Sequence, residues 1–414
     1  MLEEFPNGQS GNPDRHANPH EEPEIFMVGN IREALSRIKG RFVARLQERF
    51  GDNGTVEKLD FHQYRHSVEV AENARKSLEL IREADSDIVS DLDIILVEIE
   101  GLGHDLVQNS TKEKGKLRQR HRGMAIREIS PELMAKLSEE TARGLTPGQE
   151  EPGALEALYE LSNFADGNLT FPVDGLTLGN EGASALETLY EMSRYKLPDG
   201  TPVFPVADKS FRKSVIDDFA VTLPEISYEE LPDGTKTKAL KVSEPYLTKD
   251  SSLRAFALAS ADLRGSVGAA SDPSAFIENG NNELRELYHD IGQEIEGGIE
   301  NISPDRRAWI ADKIILAWQK DQSGFGRWQK ILFSESVDKN KIINGSVKEA
   351  EIKTKLHGFY KPENFDRSIA AAQKKYEELE ERFGSPDSEE RKKKMENLSA
   401  DDFRFLLREV GYNL

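Results

Sequence analysis

Gly-Leu-Gly-His104-Asp105-Leu-Val is the stretch of this chain with the most chemistry in it, in a sequence holding only eight histidines. An apolar segment, Ile94 to Ile99 interrupted only by Glu98, runs straight into the adjacent imidazole and carboxylate. Neighbouring residues on a helix do not share a face. Both can ligate one ion, however, if the helix ends there and the ion sits at its tip. Upstream, Phe61-His62-Gln-Tyr-Arg-His66 places two imidazoles at i and i+4, one above the other on a helix. Far downstream, Ala-Leu-Ala-Ser-Ala-Asp262-Leu-Arg264 sets a single carboxylate in a run of small apolar residues.

The chain has no cysteine, which excludes disulfides and thiolate chemistry and leaves nitrogen and oxygen as the only metal donors. Imidazole with carboxylate suits one or two divalent ions (Mn, Fe, Co, Ni, Zn or Mg). His16 and His20 lie among prolines and polar residues and read as adventitious. A second His-Asp dipeptide, His289-Asp290, has no paired histidines before it and no late Asp after it, and reads as a helix-surface pair.

The order His, then His-Asp after an apolar helix, then a late Asp resembles the HD-domain metal-dependent phosphohydrolases. The resemblance covers residues 29–130 and 248–335. Within the second range, Ala317 to Trp328 is also similar, more weakly, to the closing helix of many bacterial members. The resemblance implies that His66, His104, Asp105 and Asp262 hold one ion, with Asp105 bridging to a second if one binds. His121 falls where two-metal relatives place a further His, while Gln108 stands where many have His or Lys. In cyclic nucleotide phosphodiesterases a Tyr-His-Asn-x-x-His pattern places a proton-donating His first; here that role falls to His62, with Phe61 and Gln63 in place of Tyr and Asn. The implied catalytic set is therefore His62, His121 and Asp105. The implied activity is hydrolysis of a small anionic phosphoester, a nucleotide or related phosphate, as a phosphomonoesterase or phosphodiesterase. Two other readings stay open. One is a non-catalytic metal-binding sensor of the same fold, and the other a di-iron oxygenase of HD type.

Lys112, Lys114, Lys116, Arg118, Arg120 and Arg122 occupy every second position after the His-Asp pair. That alternation cannot make one helical stripe, so we expect a loop leading into a helix that starts near His121. Lys116, Arg118, Arg120, Arg122 and, separately, Arg264 are candidate contacts for substrate phosphate, since guanidinium forks onto phosphate oxygens.

The elements that must position these groups are mainly helical. Ile31, Ala34, Leu35, Ile38, Phe42, Leu46 and Phe50 recur at three and four. Further helices are expected from about Asp60 to Ala84, from Val89 to Gly103, through Met124 to Ile129, and over Ser251 to Ser266. The fold class is thus mainly α: an HD-domain helical bundle with an α+β insertion and a C-terminal helical extension. The expected divisions are a disordered tail over 1–25, the bundle over 26–143 and 248–335, the insertion over 144–247, and the extension over 336–414. The insertion holds a local duplication, Gly144 to Ser162 recurring as Gly175 to Ser193, and a β-hairpin around Asp233-Gly234. We expect it to cap the site and set substrate choice.

Composition narrows the class further. The hydrophobic share of 37% with 31% charged residues is that of a soluble globular protein. A net charge of −20 argues against general nucleic-acid binding and against anionic membranes. With no long apolar run and no basic or apolar N-terminal region, a cytoplasmic location is expected.

Overall fold

The computed structural model describes residues 25–50, 62, 64–107, 110–113, 116–120, 126–128, 135, 159, 163–165, 168–170, 177–232, 238–266, 270 and 272–414. The expected tail up to Glu24, together with His121, Arg122 and Gln108, lies outside the described residues.

The described chain is mainly helical. After a two-residue strand β1 (Phe26–Met27) come α1 (Ile31–Phe50), α2 (Tyr64–Ala84) and α3 (Asp91–Gly103). Short strands follow: β2 (Ser110–Glu113), β3 (Lys116–Arg120), β4 (Ile126–Glu128), β5 (Asn163–Ala165), β6 (Asn168–Thr170) and β7 (Thr177–Leu178). Then come α4 (Asn180–Ser193), β8 (Tyr195–Lys196), α5 (Lys209–Ala220) and the hairpin β9 (Glu225–Glu230) with β10 (Lys238–Ser243). The C-terminal half is α6 (Leu253–Ser260), α7 (Pro273–Leu287), α8 (His289–Glu296), α9 (Pro304–Trp309), α10 (Ala317–Lys339), α11 (Lys341–Gly345), α12 (Glu349–Phe359), α13 (Pro362–Phe383), α14 (Glu389–Glu396) and α15 (Ala400–Glu409). Among the described residues no helix is long and apolar enough to cross a membrane.

The apolar run that the sequence shows in α3 is buried from Ile94 through Gly103 without a break. It can be apolar all round because α1, α2, α4, α5 and α6 all pack on it. Its start is fixed by a capping box: Ser90 Oγ accepts from the Asp93 N–H, and Asp93 Oδ2 accepts from the Ser90 N–H. Near its end two glycines let neighbours come close. A Cβ at Gly101 would lie 2.6 Å from Ala71 Cα on α2, and one at Gly103 would lie 2.3 Å from Thr188 Oγ1 on α4.

Two sequence segments read as separate are built into this core. Ala185, Leu186 and Leu189 of α4 and Val215, Ile216 and Phe219 of α5 share one apolar cluster with Ile38, Phe42 and Leu46 of α1. The stripe beside that apolar face is basic and meets buried acids of α4: Arg45 Nη2 is 2.7 Å from Glu187 Oε2, and Arg41 Nε is 2.6 Å from Glu191 Oε1. Buried carboxylates persist only when paired in this way. At the other end, Ile352 and Leu356 of α12 and Phe365 of α13 share a second cluster with Leu78 of α2 and Phe256 of α6.

Three local expectations need correction. The basic segment is not a loop: β2 and β3 pair antiparallel, Lys112 opposite Leu117 and Glu113 opposite Lys116. Cations at every second position carry the period of a strand. Ile126 to Glu128 is also a strand, pairing with β7, since an apolar segment that short does not distinguish the two periods. Finally, α2 begins at Tyr64, so His62 precedes the helix. The expected hairpin is present, β9 and β10 running in register from Glu225 opposite Ser243 to Glu230 opposite Lys238.

Candidate metal centre

Three segments far apart in sequence converge at the end of α3. His66 comes from the first turn of α2, His104 caps the C-terminus of α3 with Asp105 next to it, and Asp262 follows α6. All four side chains are buried. His66 Nε2 is 3.3 Å from His104 Nε2. Asp262 Oδ1 lies 3.2 Å from His66 Nε2 and 3.7 Å from His104 Nε2, and Asp105 Oδ2 lies 3.4 and 3.1 Å from the same two atoms. A tetrahedral ion with ligands at ~2.05 Å has ligand-to-ligand edges of ~3.3 Å, the size of these separations. Among the described residues His66, His104 and Asp262 are the one group of three His or carboxylate side chains close enough to share an ion, their donor atoms all within 4.8 Å. The donor set therefore fits a divalent cation.

Each of these residues has a local reason for its placement. His104 ends α3 in helical conformation, and its Nδ1–H donates to the Gly101 carbonyl at 2.7 Å. That bond turns Nε2 inward, the arrangement usual for metal-binding imidazoles. The chain beyond Asp105 is tied down by α1 and α4: Val107 N–H donates to Ser184 Oγ at 3.0 Å, and Arg49 donates to the Leu106 carbonyl. Asp262 sits on a π-helical turn, Ala261–Ser266, that continues α6 and packs on α2. Such turns shift side chains out of α register and recur at functional sites.

The electrostatics suit cation capture. Burial alone would depress His104, but the Asp105 carboxylate, and Asp262 behind it, hold it well above its ordinary value. Burial would likewise raise Asp262, yet its hydrogen bonds to His104 and His66 keep it far below the carboxylate range. Asp105 is also lowered, against burial, chiefly by His104. Two ionised carboxylates thus face a protonated His104, and a cation bound here would take the place of its Nε2 proton.

A buried network around Arg254 on α6 fixes the helices that carry the ligands. Its Nε donates to Asp218 Oδ2 of α5 at 2.8 Å, and the same Nε is 3.6 Å from Glu100 Oε1 of α3. Ser252 Oγ, the cap of α6, donates to Asp218 Oδ1 at 2.6 Å. Nothing in the local sequence marks these residues, since their partners lie on different helices.

Three of these four residues, His104, Asp105 and Asp262, line a cavity of about 330 Å³ between α7, α10 and the β9–β10 hairpin. His62 lines it, and its ring centroid is 5.8 Å from that of His66. Its Nδ1 donates to Glu286 Oε1 of α7 at 2.6 Å, while its backbone N–H donates to Glu286 Oε2 at 3.0 Å. This imidazole–carboxylate pair was invisible in the sequence because 224 residues separate its members.

The remaining candidates fare differently. Arg264 is fully buried, with Nη2 donating to Glu244 Oε2 at 2.7 Å, and it does not line the cavity. Expected as a phosphate contact, it is placed against Glu244 and away from the cavity lining. Lys116, Arg118 and Arg120 lie on β3, whose backbone approaches α8. His121 and Arg122 fall outside the described residues. His289 and Asp290 open α8, with Gln293 Nε2 3.3 Å from His289 Nε2, and neither lines the cavity.

No protein-family model, no curated protein and no solved structure matches this chain.

Proposed function

We propose that this protein is a metal-dependent phosphohydrolase with an HD-type helical core, acting on a small phosphoester. The observation that carries the reading is the meeting of His66, His104, Asp105 and Asp262 in one buried cluster at the wall of a cavity. These are the four positions for which the sequence order implied ligands. Held by them, a divalent ion would supply Lewis acidity to a phosphoryl oxygen and acidify water.

The chain's own groups do the rest. His62 lines the same cavity with Nδ1–H donating to Glu286, and in its imidazolium form the ring would give the Nε2 proton to a leaving alcohol. Glu286 orients the ring through two hydrogen bonds, one to the side chain and one to the backbone of His62. The centre is walled by α2, α3 and the turn after α6, and it opens on the cavity.

The test is metal analysis of protein purified without a histidine tag, followed by a phosphoester panel with Mn²⁺ or Ni²⁺ added. About one ion per chain and metal-dependent phosphate release are expected. Stoichiometric metal with no turnover on the whole panel would instead favour a sensor built on the same centre.

A further inference from the structure

The cavity beside the centre has walls of two kinds. Ile226, Leu240 and Val242 of the β9–β10 hairpin form one apolar side. Phe276 of α7 and Phe325 of α10 form another, stacked with centroids 6.1 Å apart and planes only 4° from parallel, with Trp318 beside them. The floor at the metal end is His104, Asp105 and Asp262.

Its charges are one-sided. Glu181, Glu283 and Asp321 line it, whereas Lys313 is the only cation among the described lining residues. That lysine is committed, its Nζ lying 2.7 Å from Asp312 Oδ2. A phosphate at the centre would have its charge met by the divalent ion that His66, His104, Asp105 and Asp262 would hold. A second phosphate projecting into the cavity would meet carboxylates and apolar walls, with Lys313, paired to Asp312, the one cation among the described lining residues to offset its desolvation. An apolar group entering the same space would instead remove its own surface and that of the aromatic walls from water.

We infer that the substrate is a single-phosphate ester whose other part is an uncharged, mainly apolar alcohol of aryl or medium-chain alkyl type, seated between the hairpin and the Phe276–Phe325 pair. The assignment presupposes phosphoester cleavage at the adjoining centre and names its substrate class. A π-helical turn, Ile310–Leu316, bends the α9–α10 path where Ile314 and Ala317 complete the wall. The space is therefore shaped by the fold of three separate segments, and Ala317 is a point at which it can be filled.

Two measurements test this. First, kcat/KM is compared for 1-naphthyl phosphate, hexyl phosphate, a nucleoside monophosphate and a nucleoside triphosphate, each with Mn²⁺. Naphthyl phosphate is expected to exceed the triphosphate by at least ~10²-fold, equal to ~2.7 kcal/mol of transition-state preference. Equal or better cleavage of the monophosphate or triphosphate nucleotide overturns the inference and leaves the hydrolase reading intact.

Second, binding of 1-naphthol, which carries no phosphate, is followed by tryptophan fluorescence of the full chain. Saturable binding is expected, weakened at least ~10-fold by Ala317→Phe with bound metal unchanged. Should that variant fail to fold, Leu240→Trp fills the space from the hairpin side and is read the same way. Absence of naphthol binding overturns the inference whatever the enzyme assay gives. Naphthol binding with no phosphoester turnover upholds the apolar pocket and sinks the hydrolase reading instead.

Discussion

His66 Nε2 stands 3.3 Å from His104 Nε2 although 38 residues of chain lie between them. Two imidazole nitrogens brought that close in a buried space need something between or beside them that they both can bind. Asp105 and Asp262 supply counter-charge for a proton, and the same four atoms supply the edges of a cation's coordination shell.

Asp262→Asn keeps the shape of the side chain and removes its charge. Bound metal, measured by elemental analysis of tag-free protein, should fall at least ~10-fold while the far-UV dichroism stays that of the parent. His104→Gln should behave alike. His289→Ala, on the other His-Asp dipeptide, should bind metal as the parent does. Full metal content in Asp262→Asn would remove it from the ligand set.

Gly101→Ala tests the approach of α2 to α3. The new Cβ would lie 2.6 Å from Ala71 Cα, a backbone atom that no rotamer change can clear. Separation of the helices should lower stability by ~1–3 kcal/mol, as overpacking typically does. It should also weaken metal binding, because His66 and His104 ride on the two helices. Urea unfolding and metal titration check both effects, and a variant as stable as the parent would show that the contact is not tight.

Glu100 gives a pH-dependent prediction. It is fully buried, and burial raises its pKa well above the ordinary 4.5, more than Arg254 lowers it. The folded chain therefore keeps this proton at pH values where the unfolded chain has lost it. Between 4.5 and the raised value, increasing pH favours unfolding through this group. Glu100→Gln removes that contribution, so the variant should gain stability over the parent at pH 8 and show little difference at pH 4. Urea midpoints at the two pH values measure it, and a variant less stable than the parent at pH 8 would contradict the assignment of a neutral Glu100.

His62→Gln should lower kcat by ~10²–10⁴-fold on an alkyl phosphate, the usual range for removing a general acid. The loss should be much smaller on 4-nitrophenyl phosphate, whose leaving group needs no proton. Glu286→Gln, acting through His62, should give a smaller loss and an altered pH–rate profile. Metal content should be unchanged in both. Equal losses on the two substrates would assign His62 a structural place.

The 144–247 segment, expected to cap the site, contributes to the core as well as to the cavity. Its hairpin lines the cavity, but α4 and α5 lie in the core against α1 and α3. Replacing the whole segment with a Gly/Ser linker should therefore abolish cooperative unfolding, whereas shortening only the turn of the hairpin should not.

The sequence by itself determined the donor chemistry, because a chain without cysteine and with eight histidines leaves few ways to build a metal centre. It also indicated an apolar helix delivering His104 and Asp105 at its tip, whereas the burial of its whole girth, Glu98 and Glu100 included, came from packing. The α1 face was legible from its recurrence at three and four, and the β9–β10 hairpin from the Asp233-Gly234 turn between two short runs. Tertiary structure alone decided which remote side chains meet. It turned Arg264 into the interior toward Glu244 while Asp262, two residues earlier on a π-helical turn, faces His66. It also set Glu286 on His62, and gave the cavity its apolar walls and acidic charges. Periodicity fixes a face, but the partner of that face depends on how helices from distant segments pack, and that information is spread over the whole chain.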